Sequence, residues 1–312
     1  MSATIQQAER RRVVGGNIWL CRPGVDDSKS LRDLKARKLA YEVLDSEEAV
    51  GRAMLEEIEA AASATQHDLV IVLLGGRGAQ ALHRLLGQLA LTGEKDHLLK
   101  RLNLFTQDAL APMRPTNGFS FVRDFERLLG PAFFRKVKSF TSMRTDADDL
   151  EGELIGYLEK LASLGGIDIF FLGLGPEAYG ASHLAYIKPG SGAGVGDYAG
   201  MIPISSSILE HHIAKFKAGG SVTSDADEAE CRTATHILTL GPATILAARR
   251  IVQSIVDAST APAKRESYRR LLETKLSDHP EERAAQLDEN PGLWVRLHPN
   301  VRSLILPDVL VA

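Results

Sequence analysis

The feature that most constrains the fold is a run of apolar residues, Leu69 to Leu74, which passes directly into the glycine-rich turn "GGRG". A continuous, partly β-branched run of this length is typical of a strand buried on both faces of a parallel sheet. The order of strand and glycine turn recurs in "IDIFFLGLG" and in "THILTLGPATILAARRIVQSIV", where a helix is expected to follow the glycine. These repeats predict an α/β protein.

Helical patterns lie between the predicted strands. Ser30 to Ala64 has a helical pattern, with Ser46 as the expected N-cap of its second part, and Ala79 to Ala90 forms another helix. Arg101 to Pro112 is predicted to be a second strand that runs into a loop, and "LWVRLHPNVRSLILPDV" to hold two short extended segments. The alternation predicts a three-layer α/β/α architecture with a doubly wound, mostly parallel, Rossmann-like sheet.

We expect an N-terminal arm over residues 1–35 and a single α/β domain over 36–312. Within that domain, a small insertion is predicted near residues 195–230, where glycine and serine become more frequent.

Composition excludes several functional classes. The 312 residues carry a net charge of −3, which gives no general attraction to nucleic acid or to anionic membranes. Cys21 and Cys231 match no metal or redox spacing, and the amino terminus lacks the apolar core of a secretion signal. With no apolar run near ~20 residues, a soluble cytoplasmic protein is predicted.

No cofactor or metal is predicted. The glycine turns match neither the phosphate-binding loop of nucleotide hydrolases nor the dinucleotide fingerprint. His211 and His212 lie in a helical pattern without carboxylates at metal-binding spacing, so surface or packing roles are expected for both.

Five motifs, in order, resemble the family of glucosamine-6-phosphate deaminase and 6-phosphogluconolactonase, which shares its fold with ribose-5-phosphate isomerase and coenzyme A transferases. They are "VLLGGRGAQALHRLL", "LFTQDALAP", "FFLGLGPE…SHLAYIKPGSG", "ILTLGPATILAARRI" and "RLHPN". The resemblance covers residues 45 to 303. It implies a phosphorylated sugar, or another small anion, as ligand. Folds of this group often associate into homo-oligomers, but the sequence does not decide the oligomeric state.

The resemblance also implies catalytic positions. The family's proton-shuttling acid falls on Gln107, which has no basic group, with Asp108 beside it; Asp108 is either a displaced base or a loop-capping carboxylate. His183 falls on the family's loop histidine, and a surface role is the alternative. Counting forward from Gly-Leu-Gly places Glu177 on the family's aspartate, if "AYGA" is an insertion.

Phosphate-binding positions follow in the same way. The first glycine turn wraps the phosphate in the family, Ser191 matches its serine, and Lys264 matches a late lysine, although a solvated lysine is an equal alternative. The family's Arg-x-Lys is missing, and Arg77 and Lys188 are expected to supply its charge. The full predicted binding set is Gly75, Gly76, Arg77, Gly78, Gln107, Gly175, Lys188, Ser191 and Lys264.

Two functions remain open at this point. The first is an enzyme that processes a sugar phosphate by isomerisation, deamination or lactone hydrolysis, with His183 assisted by Glu177 or Asp108. The alternative is a catalytically inactive sugar-phosphate sensor of the same fold.

Overall fold

The structure is a computed structural model that describes residues 10–21, 24, 27–177 and 181–311. The strands in chain order are β1 (Arg10–Val14), β2 (Asn17–Cys21), β3 (Tyr41–Val43), β4 (Leu69–Leu73), β5 (Leu102–Thr106), β6 (Asp108–Ala111), β7 (Ser139–Thr141), β8 (Ile169–Leu172), β9 (Leu174–Pro176), β10 (Ser182–Leu184), β11 (Asp197–Pro203), β12 (His236–Leu240), β13 (Arg250–Ile255) and β14 (Val301–Ile305).

The helices in chain order are α1 (Asp27–Asp33), α2 (Glu47–Ala64), α3 (Arg77–Thr92), α4 (Asp96–Leu99), α5 (Phe121–Lys136), α6 (Leu150–Ser163), α7 (Ser206–Ala218), α8 (Asp225–Cys231), α9 (Pro242–Leu246), α10 (Pro262–Glu273) and α11 (Pro280–Glu289). Two 3₁₀ helices cover Pro291–Leu297 and Pro307–Val309. No helix within the described ranges is both long enough and apolar enough to cross a membrane.

A seven-stranded parallel sheet forms the centre of the molecule, in the order β3-β14-β13-β8-β4-β5-β7. The chain leaves β4 towards β5 and β7 on one side, and β8, β13 and β14 lie on the other side. The direction of winding therefore changes between β4 and β8. In open α/β sheets, such a switch point opens a crevice at the carboxyl ends of the strands.

Both faces of the parallel sheet are covered. Along β4, Leu69, Ile71 and Leu73 pack into one apolar cluster with side chains of α2, α3 and α5, whereas Val70 and Val72 pack into another with side chains of α6 and α10. All five β4 residues are buried. This two-sided burial explains the continuous apolar run, and the predicted doubly wound α/β/α fold is confirmed.

A second sheet, which the sequence did not reveal, is antiparallel in the order β1-β2-β11-β12-β6. It holds part of the predicted N-terminal arm as the hairpin β1–β2, whose Trp19 is completely buried. The predicted insertion near residues 195–230 contains β11, α7 and α8.

Several local predictions were wrong. The helix expected after Gly241 ends at Leu246, and the β-branched residues Ile251, Val252 and Ile255 form β13 instead. Arg101 to Pro112 contains two strands, because the chain leaves β5 at Gln107 and enters the antiparallel sheet as β6. The edge strand β3 interrupts the helical pattern before α2. Of the two extended segments near the end, the first is the 3₁₀ helix Pro291–Leu297 and only the second, β14, is a strand.

Candidate active-site cleft

A cleft of about 390 Å³ opens at the switch point of the parallel sheet. Its walls come from the segments that follow β4, β5, β8 and β13, from one side of α7, and from the first turn of α10. Side chains far apart in sequence meet here because parallel strands end at the same edge of the sheet.

The turn after β4 forms one wall, and all four residues of "GGRG" line the cleft. Gly76, at φ +74°, is the N-cap residue of α3 and supplies no capping side chain. A Cβ atom on Gly75 would lie 2.7 Å from the Phe121 ring. Arg77 is 45% exposed in its side chain and pairs with Glu47 at 2.7 Å. The turn therefore presents backbone N–H groups and a guanidinium to the same space.

Gln107 and Asp108 both line the cleft, although neighbours in a regular strand would face opposite sides. They do so because Gln107 lies between β5 and β6, where the chain passes from one sheet to the other. Burial raises the pKa of Asp108 to about 8, against a hydrogen bond from Gln107 that lowers it. Asp108 is therefore mostly a neutral carboxylic acid at pH 7. The Oε1 atom of Gln107 is buried without a hydrogen bond to any described residue.

His183 lies on β10, directly opposite Gly175 of β9. A Cβ atom on Gly175 would come within 2.0 Å of the imidazole, so glycine is required there. The backbone N–H of Tyr186 donates to Nδ1 of His183 at 3.1 Å. Burial, and to a smaller extent the charge of Lys264, lowers the pKa of His183 to about 3. The ring is thus neutral with Nδ1 as acceptor, which assigns the proton to Nε2 and makes Nε2–H a donor.

The loop after His183 is held in an unusual conformation. Ala185 and Tyr186 have left-handed backbone angles, φ +47° and +57°, although neither is glycine. The hydroxyl of Thr239 donates to the carbonyl of Ala185, and the Tyr186 ring stacks on His183 with centroids 4.3 Å apart. Strained non-glycine residues concentrate at functional sites, where surrounding contacts fix them. Here they fix the orientation of His183.

Basic groups gather around Asp257, in the loop after β13. Lys264, buried in the first turn of α10, forms an ion pair with it. Lys215 of α7 lies 3.9 Å from the other carboxylate oxygen and donates to the Thr260 hydroxyl at 3.2 Å. Lys264, Lys215 and Arg77 all act to lower the pKa of Asp257, against its burial. Asp257 thus holds Lys264 and Lys215 near each other, and the charge of Arg77, which pairs with Glu47, also acts on it.

Three predicted site residues lie outside the cleft lining. Glu177 Oε1 accepts hydrogen bonds from Ser205 and Ser207, both at 2.9 Å, and Lys188 donates to the Pro203 carbonyl at 2.9 Å. Ser191 is completely buried, and its carbonyl accepts from the Trp19 indole at 3.1 Å. Most of the proposed "AYGA" insertion, residues 178–180, lies outside the described residues.

The structure adds cleft residues that the sequence analysis missed, namely His211, Lys215 and Asp257. Both histidines of the pair line the cleft, in different surroundings. His212 is a packing residue, with Nε2 2.7 Å from the Phe119 carbonyl and its ring stacked on Phe216, whereas His211 is only half-buried. The spacing of His211 and Lys215, four residues apart on one side of α7, is a signal that could have paired them.

Within the described residues, no three His, Cys, Asp or Glu side chains are grouped so that they could hold a metal ion.

Comparison of the sequence with known proteins gives a short match. No protein-family description matches the chain. A segment of 56 residues is 44% identical to glucosamine-6-phosphate deaminase of Phocaeicola vulgatus; it covers 18% of this chain and only 20% of that protein.

Solved structures match over most of the chain. A monomeric glucosamine-6-phosphate deaminase has a TM-score of 0.64 and 21% identity, and the match covers 87% of this chain and 98% of that one. The 6-phosphogluconolactonase of Trypanosoma cruzi has a TM-score of 0.62 and 16% identity, with 89% and 97% covered. The enzyme of that name from Thermotoga maritima gives 0.58 and 16%, with 86% and 98% covered. The resemblance found in the motifs is thus confirmed: this chain has the fold that glucosamine-6-phosphate deaminase and 6-phosphogluconolactonase share.

Proposed function

We propose that this protein is an enzyme that processes a phosphorylated sugar in the cleft at the switch point of the parallel sheet. The observation that carries the proposal is the meeting of His183 and Asp108, two acid–base groups with shifted pKa values, with a cluster of basic side chains in one cleft. Perturbed titratable groups that converge on a cleft are typical of catalytic sites.

The phosphate group is assigned to the end of the cleft formed by the "GGRG" turn and α10. Arg77, Lys215 and Lys264 face this region, together with the uncapped N-terminus of α3. Charge-assisted hydrogen bonds from guanidinium, ammonium and backbone N–H groups suit a dianionic phosphate. Glu177, Lys188 and Ser191 are left out of this site, because their side chains lie outside the cleft lining.

The protonation states favour lactone hydrolysis among the possible reactions. If Asp108 were the base that removes a proton from a sugar carbon, it would have to be ionised, but it is mostly protonated at pH 7. The other cleft carboxylates are paired, Asp124 with Arg127 and Asp257 with Lys264. Hydrolysis instead needs donors on the carbonyl and ring oxygens, and the Nε2–H of His183 and the carboxylic acid of Asp108 can both donate.

Deamination of an amino-sugar phosphate is the second candidate. The 56-residue match to a glucosamine-6-phosphate deaminase favours it. This reaction would use Asp108 as an ionised base, so its rate should rise as the pH increases through about 8, the pKa of that group. Lactone hydrolysis with Asp108 as the acid should fall over the same interval.

The test compares binding and turnover by the purified protein. A thermal-shift series with 6-phosphogluconate, glucosamine-6-phosphate and the matching unphosphorylated sugars should give stabilisation by the phosphates alone. Arg77→Gln and Lys215→Gln should each weaken phosphate-dependent binding about tenfold. Lys217→Gln, on the same helix but exposed and paired with Glu228, is the matched control and should leave binding unchanged.

Turnover is measured with 6-phosphogluconolactone, corrected for spontaneous hydrolysis, and with glucosamine-6-phosphate, through released ammonia. Binding of the phosphates without turnover of either compound would support the inactive sensor in place of the enzyme. Equal stabilisation by phosphorylated and unphosphorylated sugars would contradict the phosphate site itself.

A further inference from the structure

The groups described so far leave the cleft without a proton acceptor at neutral pH. The Nδ1 atom of His183 already accepts a hydrogen bond from the Tyr186 backbone, and its Nε2 carries the proton. Asp108 is mostly protonated, and the two other cleft carboxylates are ion-paired. Activation of a water molecule for attack on a carbonyl nevertheless requires a base.

His211 is the group that meets this need. It lies on the side of α7 that lines the cleft, is only half-buried, and forms no hydrogen bond through either ring nitrogen to another described residue. Its neighbour His212 points into the packing between α7 and α5, and both of its ring nitrogens are engaged. Both of these adjacent histidines line the cleft, but His212 has both ring nitrogens engaged, whereas His211 has neither engaged with another described residue.

The titratable groups around His211 come from four elements. They are Lys215 on α7, Lys264 on α10, Asp257 after β13, and His183 on β10. Burial, together with the charges of Lys215 and Lys264, lowers the pKa of His211 to about 4, against the attraction of Asp257. The imidazole is therefore neutral at pH 7, the state in which it can accept a proton.

We propose that His211 is the catalytic base of this cleft, a role that rests on the proposed function of lactone hydrolysis. The imidazole takes one proton from water as the water oxygen bonds to the carbonyl carbon, whose oxygen accepts a hydrogen bond from Nε2–H of His183. The bond from that carbon to the ring oxygen then breaks, and the ring oxygen takes the proton of Asp108. Proton transfer from His211 to Asp108 restores both groups, so that lactone and water give the open hydroxy acid.

Substrate binding would strengthen this base. A dianionic phosphate beside Lys215 and Lys264 offsets the two positive charges that disfavour protonation of His211. The pKa of His211 should therefore be higher in the substrate complex than in the free protein. The acid limb of kcat/KM is expected near pH 4, and the acid limb of kcat at a higher pH.

The experiment replaces His211 and compares it with its helix neighbours. His211→Gln should lower kcat for 6-phosphogluconolactone at least 100-fold. Its KM should stay within about threefold of the wild-type value, and 6-phosphogluconate should still raise its melting temperature. Glu210→Gln, on the exposed side of α7, should retain the wild-type kcat. In His211→Ala, free imidazole should restore part of the activity, a rescue that a purely structural role would not give.

Each outcome decides a different point. If the wild-type protein hydrolyses the lactone and His211→Gln keeps its kcat, the assignment of His211 is wrong and the proposed function stands. Loss of kcat together with loss of the 6-phosphogluconate thermal shift would show a binding role and would also overturn the assignment. If the wild-type protein hydrolyses no lactone, the proposed reaction and the base assigned to it both fail.

Discussion

At the scale of single residues, the burial of His83 should make the stability of the protein depend on pH. It is buried in α3 against Phe125, at a ring distance of 5.1 Å, and neither ring nitrogen has a hydrogen-bond partner among the described residues. Burial lowers its pKa to about 3. The unfolded chain takes up a proton near pH 6.5 whereas the folded protein does not, so acid favours unfolding through this residue.

His83→Leu should therefore reduce acid sensitivity. Between pH 7 and pH 5, the wild-type free energy of unfolding is expected to fall by about 2 kcal/mol more than that of the variant, because each pH unit below 6.5 contributes ~1.4 kcal/mol. Urea unfolding at the two pH values measures this difference. His97→Leu, at an exposed position, is the control and should keep the wild-type pH dependence. An equal pH dependence in His83→Leu and the wild type would contradict the assigned burial.

Gly175 shows how one missing side chain makes room for the site. Gly175→Ala would place a methyl group within 2.0 Å of the His183 ring and displace it. We expect at least a tenfold loss of kcat/KM and a lower melting temperature. Gly156→Ala is the control: its methyl group would meet nothing within 4 Å on α6, so it should stabilise the protein by about 0.5–1 kcal/mol. An active Gly175→Ala variant would place His183 outside the reaction.

At the scale of elements, local signals were reliable where they concerned helix ends. Ser46 was expected to cap a helix, and its hydroxyl accepts from the backbone N–H of Ala49 at 3.2 Å at the start of α2. The passage of the chain from one sheet to the other, between β5 and β6, was not predicted. A cap is a contact between residues three apart, whereas a change of sheet depends on distant partners.

Removal of this cap should weaken α2 measurably. Ser46→Ala is expected to lower the free energy of unfolding by about 1 kcal/mol, because one N–H group of the first turn loses its acceptor. Ser63→Ala, in the exposed last turn of the same helix, should change stability by less than half of that amount. Equal effects in chemical denaturation would show that Ser46 does not act as a cap.

At the scale of the whole molecule, the two sheets share one core. Trp19, from the N-terminal hairpin, is completely buried in the same apolar cluster as Phe170 of the parallel sheet. Its indole also bonds to the carbonyl of Ser191, in the loop beyond His183. The hairpin is therefore an integral part of the fold that supports the site.

Trp19→Ala tests this integration. The cavity and the lost hydrogen bond should reduce the free energy of unfolding by about 3–5 kcal/mol. Val13→Ala, in the same hairpin but 59% exposed, should change it by less than about 0.5 kcal/mol. If both variants unfold at the same denaturant concentration as the wild type, the hairpin contributes little to the core.

The order of motifs and the two-sided apolar strands were enough to predict the parallel α/β fold, its glycine turns and the place of the cleft. These features depend on spacing along the chain, since residue alternation and helix periodicity are local properties. Tertiary structure alone decided which polar residues meet. It ties Lys188 and Ser191 of the "KPGSG" loop to neighbouring segments, and it turns His211 and Lys215 of α7 into the cleft. The direction in which a helix face or a loop side chain points is fixed by packing against distant segments, and that packing is not written in local sequence.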